Sequence, residues 1–216
     1  MSAAQVVEFL GRVRASAILR TSVEEVAAGA MEAAVRAGFR AVEFTLTTPG
    51  ALERIGEFSR RDDLLVGAGT VLDPEDARAA AEAGARFVVS PVVDEAVIDQ
   101  ARSLGLAAMP GCHTPTEMLR AVRAGAELQK LFPAPADGPS VVRACLGPLP
   151  FLRLVPTHGV DETNAAAHLA AGAHALGFVA PLFDPDEVAA GRFDLVEERA
   201  RRLLAAVARA RRAYSQ

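Results

Sequence analysis

The chain has 216 residues, of which 51% are hydrophobic and 23% charged, and its formal net charge is −4. These values are typical of a folded domain with one sizeable core and exclude a disordered chain. The interspersed acids and bases form no clustered basic face of the kind that binds nucleic acid, and no segment approaches the ~20 apolar residues of a membrane span. We therefore expect no nucleic-acid partner and no membrane partner. Residues 1–14 lack the apolar core of a signal peptide, so we expect a cytoplasmic location.

A recurring unit organises the chain: a short apolar run leads into a loop and then into an amphipathic, alanine-rich helix. The runs that we predict as strands are residues 15–19, 41–46, 64–69, 86–90, 106–110, 127–132, 152–156 and 175–179. The predicted helices are residues 4–12, 23–37, 49–59, 74–83, 94–104, 116–124, 140–146, 162–171 and 195–213. Ala-Gly pairs at 37–38, 83–84, 124–125 and 171–172 indicate helix ends.

Strands that alternate with helices at this spacing run parallel, and eight such units within about 200 residues indicate a closed barrel. We therefore predict the α/β class: a single-domain (β/α)8 TIM barrel over residues 1–216. The extra N-terminal helix, residues 4–12, is expected to plug or flank the barrel base. A doubly wound open sheet is the alternative, but it usually has fewer strands and the chain has no G-x-G-x-x-G turn.

The lysine usage of the chain is unusual. Of the 23 lysines and arginines, Lys130 is the only lysine. A buried lysine can become a neutral amine, whereas arginine keeps its proton in proteins. The pattern therefore indicates a position where arginine cannot replace lysine.

Among the polar residues near the carboxyl ends of the predicted strands, two are charged and lie within the strand rather than in the loop that follows it. Glu43 is between Val42 and Phe44, and Lys130 is two residues before Phe132, on the same face. If both faces point into the barrel, an ammonium and a carboxylate share an apolar chamber at its active end. A salt bridge that only holds the barrel together is the alternative. Buried ion pairs are poor stabilisers, which favours a functional role.

This pair predicts imine chemistry. Desolvation by Leu131, Phe132 and the barrel lining is expected to lower the pKa of Lys130, and a neutral amine can attack a ketone carbon. Cleavage of the C3–C4 bond of a 4-hydroxy-2-keto acid then needs a base for the C4 hydroxyl proton, and Glu43 is the candidate. Arg20 is a candidate for the substrate carboxylate, although it also fits the pattern of an ordinary surface arginine.

Further candidate substrate-binding residues lie at or near the predicted strand ends. Thr70 follows two glycines that allow close backbone approach, and it offers a hydroxyl and an amide. The other expected substrate-binding residues are Thr45, Pro91, Pro110, Gly111, Phe132, Thr157, His158 and Gly159. We expect no metal ligand among the site residues.

At these residues the chain resembles the 2-keto-3-deoxy-6-phosphogluconate aldolases, which also act on 4-hydroxy-2-oxoglutarate, and their phosphogalactonate relatives. The matching segments are residues 17–20, 41–46, 67–72, 110–112 with Thr114 and Glu117, 130–134 and 156–160. The resemblance implies a class I lyase that cleaves a 2-keto acid to pyruvate and an aldehyde, with Lys130 as the Schiff-base residue and Glu43 as the acid/base. It also implies a barrel fold, a homotrimer and no metal or organic cofactor.

The chain departs from the family pattern where members bind the substrate phosphate. His158-Gly159 stands in place of a Gly-Gly pair, and Val179-Ala180 in place of Gly-Ser. Asp184 and Asp186 follow, and their charges are expected to repel a dianion. We therefore predict weak or altered phosphate binding. Thr47 stands where some members have arginine, so carboxylate binding is expected to depend more on Arg20.

Three other functions are consistent with parts of the sequence. A metal-dependent aldolase would use His113, His158 and Glu43, although their spacing is not a metal signature. A non-catalytic sugar-acid-binding barrel would bind ligand without turnover. A phosphate-handling isomerase is least favoured because the phosphate-binding loops are altered.

Overall fold

The computed structural model describes residues 1–213, with side chains described to residue 210. The strands are β1 (Ala15–Leu19), β2 (Ala41–Thr45), β3 (Leu65–Gly69), β4 (Phe87–Ser90), β5 (Ala107–Cys112), β6 (Gln129–Leu131), β7 (Leu154–Pro156) and β8 (Leu176–Phe178). The helices are α1 (Ala3–Val13), α2 (Glu24–Ala37), α3 (Ala51–Phe58), α4 (Pro74–Glu82), α5 (Glu95–Ser103), α6 (Pro115–Ala124), α7 (Gly138–Leu146), α8 (Ala165–Ala170), α9 (Pro185–Ala189) and α10 (Phe193–Ala213).

The strands form one nearly closed parallel barrel. Their order is β7-β6-β5-β4-β3-β2-β1-β8, and an isolated parallel bridge between Thr157 and Gly177 links the two ends. The predicted (β/α)8 barrel is confirmed. The open, doubly wound alternative is wrong, because such a sheet reverses its strand order partway and this one does not.

Helix α1 closes the N-terminal end of the barrel. Val6, Val7 and Leu10 are buried and belong to the same apolar cluster as Phe87 and Met109, which point into the barrel from β4 and β5. The helix begins with a capping box made by Ser2 and Gln5. The predicted plug at the barrel base is therefore present, and the open end lies at the carboxyl ends of the strands.

Local signals in the sequence explain several element boundaries. Asp73 caps α4, and its side chain accepts a hydrogen bond from the amide of Asp76. Thr114 and Glu117 form a capping box at the start of α6. Gly125 ends α6 with φ +100°, a left-handed conformation that glycine adopts without steric cost.

Two elements differ from the sequence-based expectation. Strand β5 continues through Gly111 and Cys112, beyond the predicted end at Pro110, because both residues still have a partner in β6. Helix α9 was not predicted, because its length of five residues is too short to show a helical repeat of apolar positions. Within the described residues, no helix combines the length and apolar character needed to cross a membrane.

Candidate active site

Glu43 and Lys130 point into the barrel from β2 and β6. Ala41 and Leu128 belong to the interior cluster, and the two charged residues lie two positions further along the same strand faces. Their exposed fractions are 1% for Glu43 and 8% for Lys130. The two charged side chains therefore share one interior chamber, as the proposed chemistry requires.

Burial controls the protonation of Lys130. Desolvation lowers its pKa, the nearby Glu43 carboxylate raises it by a smaller amount, and Arg20 lowers it. The ammonium nitrogen lies 5.1 Å from the centroid of the Phe132 ring, which forms part of the apolar wall. We expected Leu131 to form part of this wall as well, but it lies in the layer between the barrel and the helices. The net effect is a lowered pKa, so Lys130 loses its proton more readily than an ordinary lysine does.

The Glu43 carboxylate is buried and, among the described residues, lacks a hydrogen-bond partner for one of its oxygens. Its Oε1 atom is buried and accepts no hydrogen bond in the described structure. Burial raises its pKa, while the charges of Lys130 and Arg20 lower it. A structural salt bridge would satisfy this oxygen, whereas here it remains available to a substrate or a water molecule.

Gly69 makes room for this carboxylate. A Cβ atom on Gly69 would collide with Oε1, Cδ and Cγ of Glu43. Sequence reasoning singled out Gly69 only for backbone approach to a ligand and missed this contact. The signal that points to it is the Gly67-Ala68-Gly69 pattern, which removes side chains from the inward face of the neighbouring strand.

Arg20 and Thr70 meet at the rim above this pair. Arg20 is exposed, and its Nη2 donates a hydrogen bond of 3.1 Å to the Thr70 hydroxyl. Thr70 has φ +57°, a conformation that non-glycine residues rarely adopt. The two predicted binding residues are thus brought together beside the barrel mouth, with the guanidinium close enough to affect both Lys130 and Glu43.

The hydroxyl of Thr45 is already engaged. It lies 3.1 Å from the Thr47 hydroxyl and 3.2 Å from the Thr48 hydroxyl, and Thr48 in turn accepts a hydrogen bond from the Thr21 amide. Thr45 and Thr48 are buried, whereas Thr47 is exposed. This network fixes the end of β2 just beyond Glu43. Thr48 was not predicted as part of the site.

Pro91, Pro110 and Gly111 form the wall on the β4–β5 side. Pro110 pairs with Ser90, and Gly111 pairs directly with Lys130 across β5 and β6. A side chain on Gly111 would collide with the backbone carbonyl of Pro91. Glycine is therefore required where these two segments pass beside the lysine.

The β6 and β7 ends bring Phe132, Thr157, His158 and Gly159 together. The rings of Phe132 and His158 meet edge to face, with centroids 6.0 Å apart. Thr157 is buried, and its hydroxyl donates to the Val155 carbonyl at 3.3 Å. His158 and Gly159 are exposed, with φ +64° and +88°.

Two neighbouring residues are poorly suited to chemistry. Cys112 is buried in the layer outside the barrel, and desolvation raises the pKa of its thiol to about 12, so it is a packed residue rather than a nucleophile. The Nδ1 atom of His113 is 3.2 Å from the Pro133 carbonyl. Across the described residues, no three His, Cys, Asp or Glu side chains form a group that could hold a metal ion. His113, His158 and Glu43 therefore do not converge as the metal-dependent alternative requires.

Comparison with known proteins identifies aldolases that are similar to most of the chain. Residues 6–198 match the family model described as KDPG and KHG aldolase. A probable 2-dehydro-3-deoxy-6-phosphogalactonate aldolase from Rhizobium meliloti is 39% identical over 172 residues, which cover 78% of this chain and 81% of the relative. The 2-dehydro-3-deoxy-6-phosphogalactonate aldolase of Escherichia coli is 36% identical over 170 residues, covering 77% and 83%.

The three-dimensional comparison extends this result. A solved structure described as native KDPGal superposes with a TM-score of 0.79 at 33% identity, covering 92% of this chain and 94% of that chain. The match therefore includes the whole barrel and not only the motif-bearing strands. Since the family model spans the barrel from α1 into α10, the chain belongs to the KDPG and KHG aldolase family.

Proposed function

We propose that this protein is a class I aldolase, a lyase that cleaves a 4-hydroxy-2-keto acid to pyruvate and an aldehyde. The observation that carries the proposal is the pairing of the only lysine of the chain with a buried, unsatisfied carboxylate inside the barrel. Family membership supports the same reaction class. The relatives' names supply two candidate substrates, 2-keto-3-deoxy-6-phosphogluconate-like sugar acids and 4-hydroxy-2-oxoglutarate.

The reaction begins when the neutral Lys130 amine attacks the C2 carbonyl carbon of the keto acid. The carbinolamine that forms loses water to give an imine. Removal of the C4 hydroxyl proton breaks the C3–C4 bond, and the bonding electrons move to the imine nitrogen as an enamine. The aldehyde leaves, the enamine takes a proton at C3, and water hydrolyses the resulting imine to release pyruvate and the free amine.

Glu43 moves protons in this sequence. Its raised pKa and unsatisfied oxygen suit a group that gives a proton during loss of water and takes one from the C4 hydroxyl, directly or through a water molecule. Arg20 and Thr70 bind the substrate carboxylate at the rim. The remaining substrate-binding residues are Thr45, Pro91, Pro110, Gly111, Phe132, Thr157, His158 and Gly159.

The distal end of the substrate meets a modified site. Val179 and Ala180 follow β8 without a hydroxyl group, and the Asp184 carboxylate caps α9 close behind. Phosphate binding is therefore weak or altered. We further propose that residues 1–216 form one domain, that the protein assembles as a homotrimer and that it acts in the cytoplasm.

The deciding experiment is borohydride reduction in the presence of pyruvate, followed by peptide mass mapping. The expected adduct lies on Lys130, and the K130R variant serves as the control because it keeps the charge but cannot form the imine. A wild-type protein that forms no adduct, or only one on the N-terminal amine, would contradict the mechanism. Ligand binding without turnover would instead favour a non-catalytic sugar-acid-binding barrel.

A further inference from the structure

The loop after β7 places the imidazole of His158 against the Phe132 ring, which also contacts the Lys130 amine. The Phe132 ring contacts both groups: its centroid is 5.1 Å from the Lys130 nitrogen and 6.0 Å from the centroid of the His158 ring. The His158 ring centre is therefore no more than about 11 Å from the nitrogen that binds C2, by simple geometry. A five- or six-carbon keto acid bound at C2 can therefore extend towards this ring.

Hydrogen bonds fix the backbone of the loop that carries this ring. The Ala134 amide donates to the carbonyls of both Thr157 and His158, at 3.0 and 3.1 Å. On the other side, the Asn164 side chain donates to the Gly159 carbonyl at 2.7 Å. The backbone of His158 has φ +64°, a conformation in which a non-glycine side chain is costly. The exposed ring thus extends from a fixed backbone and contacts Phe132, which favours contact with a ligand in the barrel mouth.

We propose that His158 is a specificity-determining residue, which recognises the end of the substrate opposite the keto acid by donating an imidazole N–H to an oxygen acceptor. The inference rests on the proposed aldolase function, and it specifies which group contacts the distal end of the substrate. The acceptor is a hydroxyl or carboxylate oxygen of the part that leaves as the aldehyde.

The chemistry of the surrounding rim favours such an acceptor over a phosphate. The residues that follow β7 and β8 are Thr157, His158, Gly159, Val179 and Ala180. The Thr157 hydroxyl already donates to the Val155 carbonyl, so their side chains offer one ring donor and no lysine or arginine. A phosphate dianion is normally bound by several donors or by fixed cations. One imidazole N–H matches a single oxygen, and the T-shaped contact with Phe132 sets its direction.

The test uses four substrates that share the keto acid half and differ at the distal end: 4-hydroxy-2-oxopentanoate (methyl), 2-keto-3-deoxygluconate (hydroxyl), 4-hydroxy-2-oxoglutarate (carboxylate) and 2-keto-3-deoxy-6-phosphogluconate (phosphate). The variants are H158F, which keeps an aromatic ring but removes the donor, and H158Q, which keeps a donor. The matched control is H113Q, because His113 is the other exposed histidine at the barrel mouth.

We expect H158F to lower kcat/KM for the hydroxyl or carboxylate substrate by about tenfold or more, the range for loss of one good hydrogen bond. The loss on the methyl substrate should be several-fold smaller, H158Q should restore part of the loss on the polar substrate, and H113Q should change nothing. Comparing the hydroxyl and carboxylate substrates identifies which acceptor is used. An equal loss on all four substrates, or no loss on any, would overturn the proposal.

Pyruvate trapping separates this proposal from the proposed function. Pyruvate has no distal group, so H158F should still form the borohydride adduct on Lys130. If the wild-type protein forms no adduct, the aldolase function fails. If trapping is normal but selectivity is indifferent to His158, only the inference about His158 fails. A wild-type preference for the phosphorylated sugar of tens of fold would also overturn it.

Discussion

The α-carbon of Gly69 lies so close to the Glu43 carboxylate that a methyl group on it would occupy the space of Oε1. The two residues are on neighbouring strands, with Glu43 paired to Gly67 and Thr45 to Gly69. The Glu43 carboxylate thus occupies the space beside Gly69 that any other residue would fill with its side chain. This contact determines where the carboxylate that we propose as the proton carrier lies relative to Lys130.

The G69A variant should therefore displace the carboxylate. We expect kcat/KM to fall by about 100-fold or more, since small misplacements of a reacting group have effects of this size. Overpacking should lower the free energy of unfolding by about 1–3 kcal/mol. Urea denaturation and steady-state kinetics measure the two effects. The control is G56A on α3, where a Cβ meets only ordinary contacts; wild-type activity in G69A would contradict the prediction.

The E43Q variant should separate activity from stability. Activity should fall by about 10²–10⁴-fold because the proton carrier is lost. The pKa of Glu43 is raised in the folded state, so its ionisation costs stability once the pH rises above 4.5, the unfolded value. Glutamine removes that cost, and the free energy of unfolding at pH 7 should be unchanged or higher. The exposed Glu53 provides the control, E53Q.

A loss of stability in E43Q would reveal a different role for the pair. Breaking a structural buried ion pair costs about 3–5 kcal/mol. A decrease of that size at pH 7 would mean that Glu43 mainly holds the barrel together.

The rate of imine formation should depend on pH through Lys130. Burial lowers the pKa of this amine from 10.5, so the neutral form is reached at lower pH than for an ordinary lysine. The initial rate of borohydride trapping with pyruvate should rise with pH, with its midpoint below 10.5. The Arg20 charge also lowers this pKa, so R20Q should move the rise to higher pH. A rise centred at the ordinary lysine value would be inconsistent with the buried amine.

Removal of Arg20 should weaken binding of the substrate carboxylate. We expect R20A to raise KM by about 10–100-fold, the range for loss of a charge-assisted hydrogen bond. T70A should have a smaller effect, because Thr70 orients the guanidinium through the 3.1 Å hydrogen bond. Steady-state kinetics with pyruvate-yielding substrates measure both. R78A on the exposed face of α4 is the control, and an equal effect there would argue against a specific role.

Acid sensitivity should depend partly on His168. This α8 residue is buried, its Nδ1 has no hydrogen-bond partner in the described structure, and burial lowers its pKa below 6.5 while Asp161 raises it. Because the pKa of His168 is lower in the folded protein than in the unfolded chain, the folded protein loses stability as the pH falls through the unfolded value of 6.5. Unfolding free energies of H168L should therefore decline less steeply than wild type between pH 7 and pH 5.5. Equal slopes would show that His168 does not titrate on unfolding.

The sequence carries enough information for the barrel and for its central pair. Alternation along a strand places Glu43 and Lys130 inward, and the near absence of lysine singles out the amine. The contact of Gly69 with Glu43 depends on side-chain direction across two strands, which periodicity does not contain. The position of the His158 ring depends on a left-handed backbone and on bonds from Ala134, neither of which leaves a local pattern.

The scarcity of lysine has a consequence outside the barrel interior. Every other long cationic side chain is arginine, so the outer face of the protein offers an aldehyde product no lysine side chain with which to condense. Glycation-type damage by simple aldehydes, which attacks exposed lysines in most enzymes, has no such target here. The only lysine, to which we assign the reaction with the keto acid, is shielded inside the barrel.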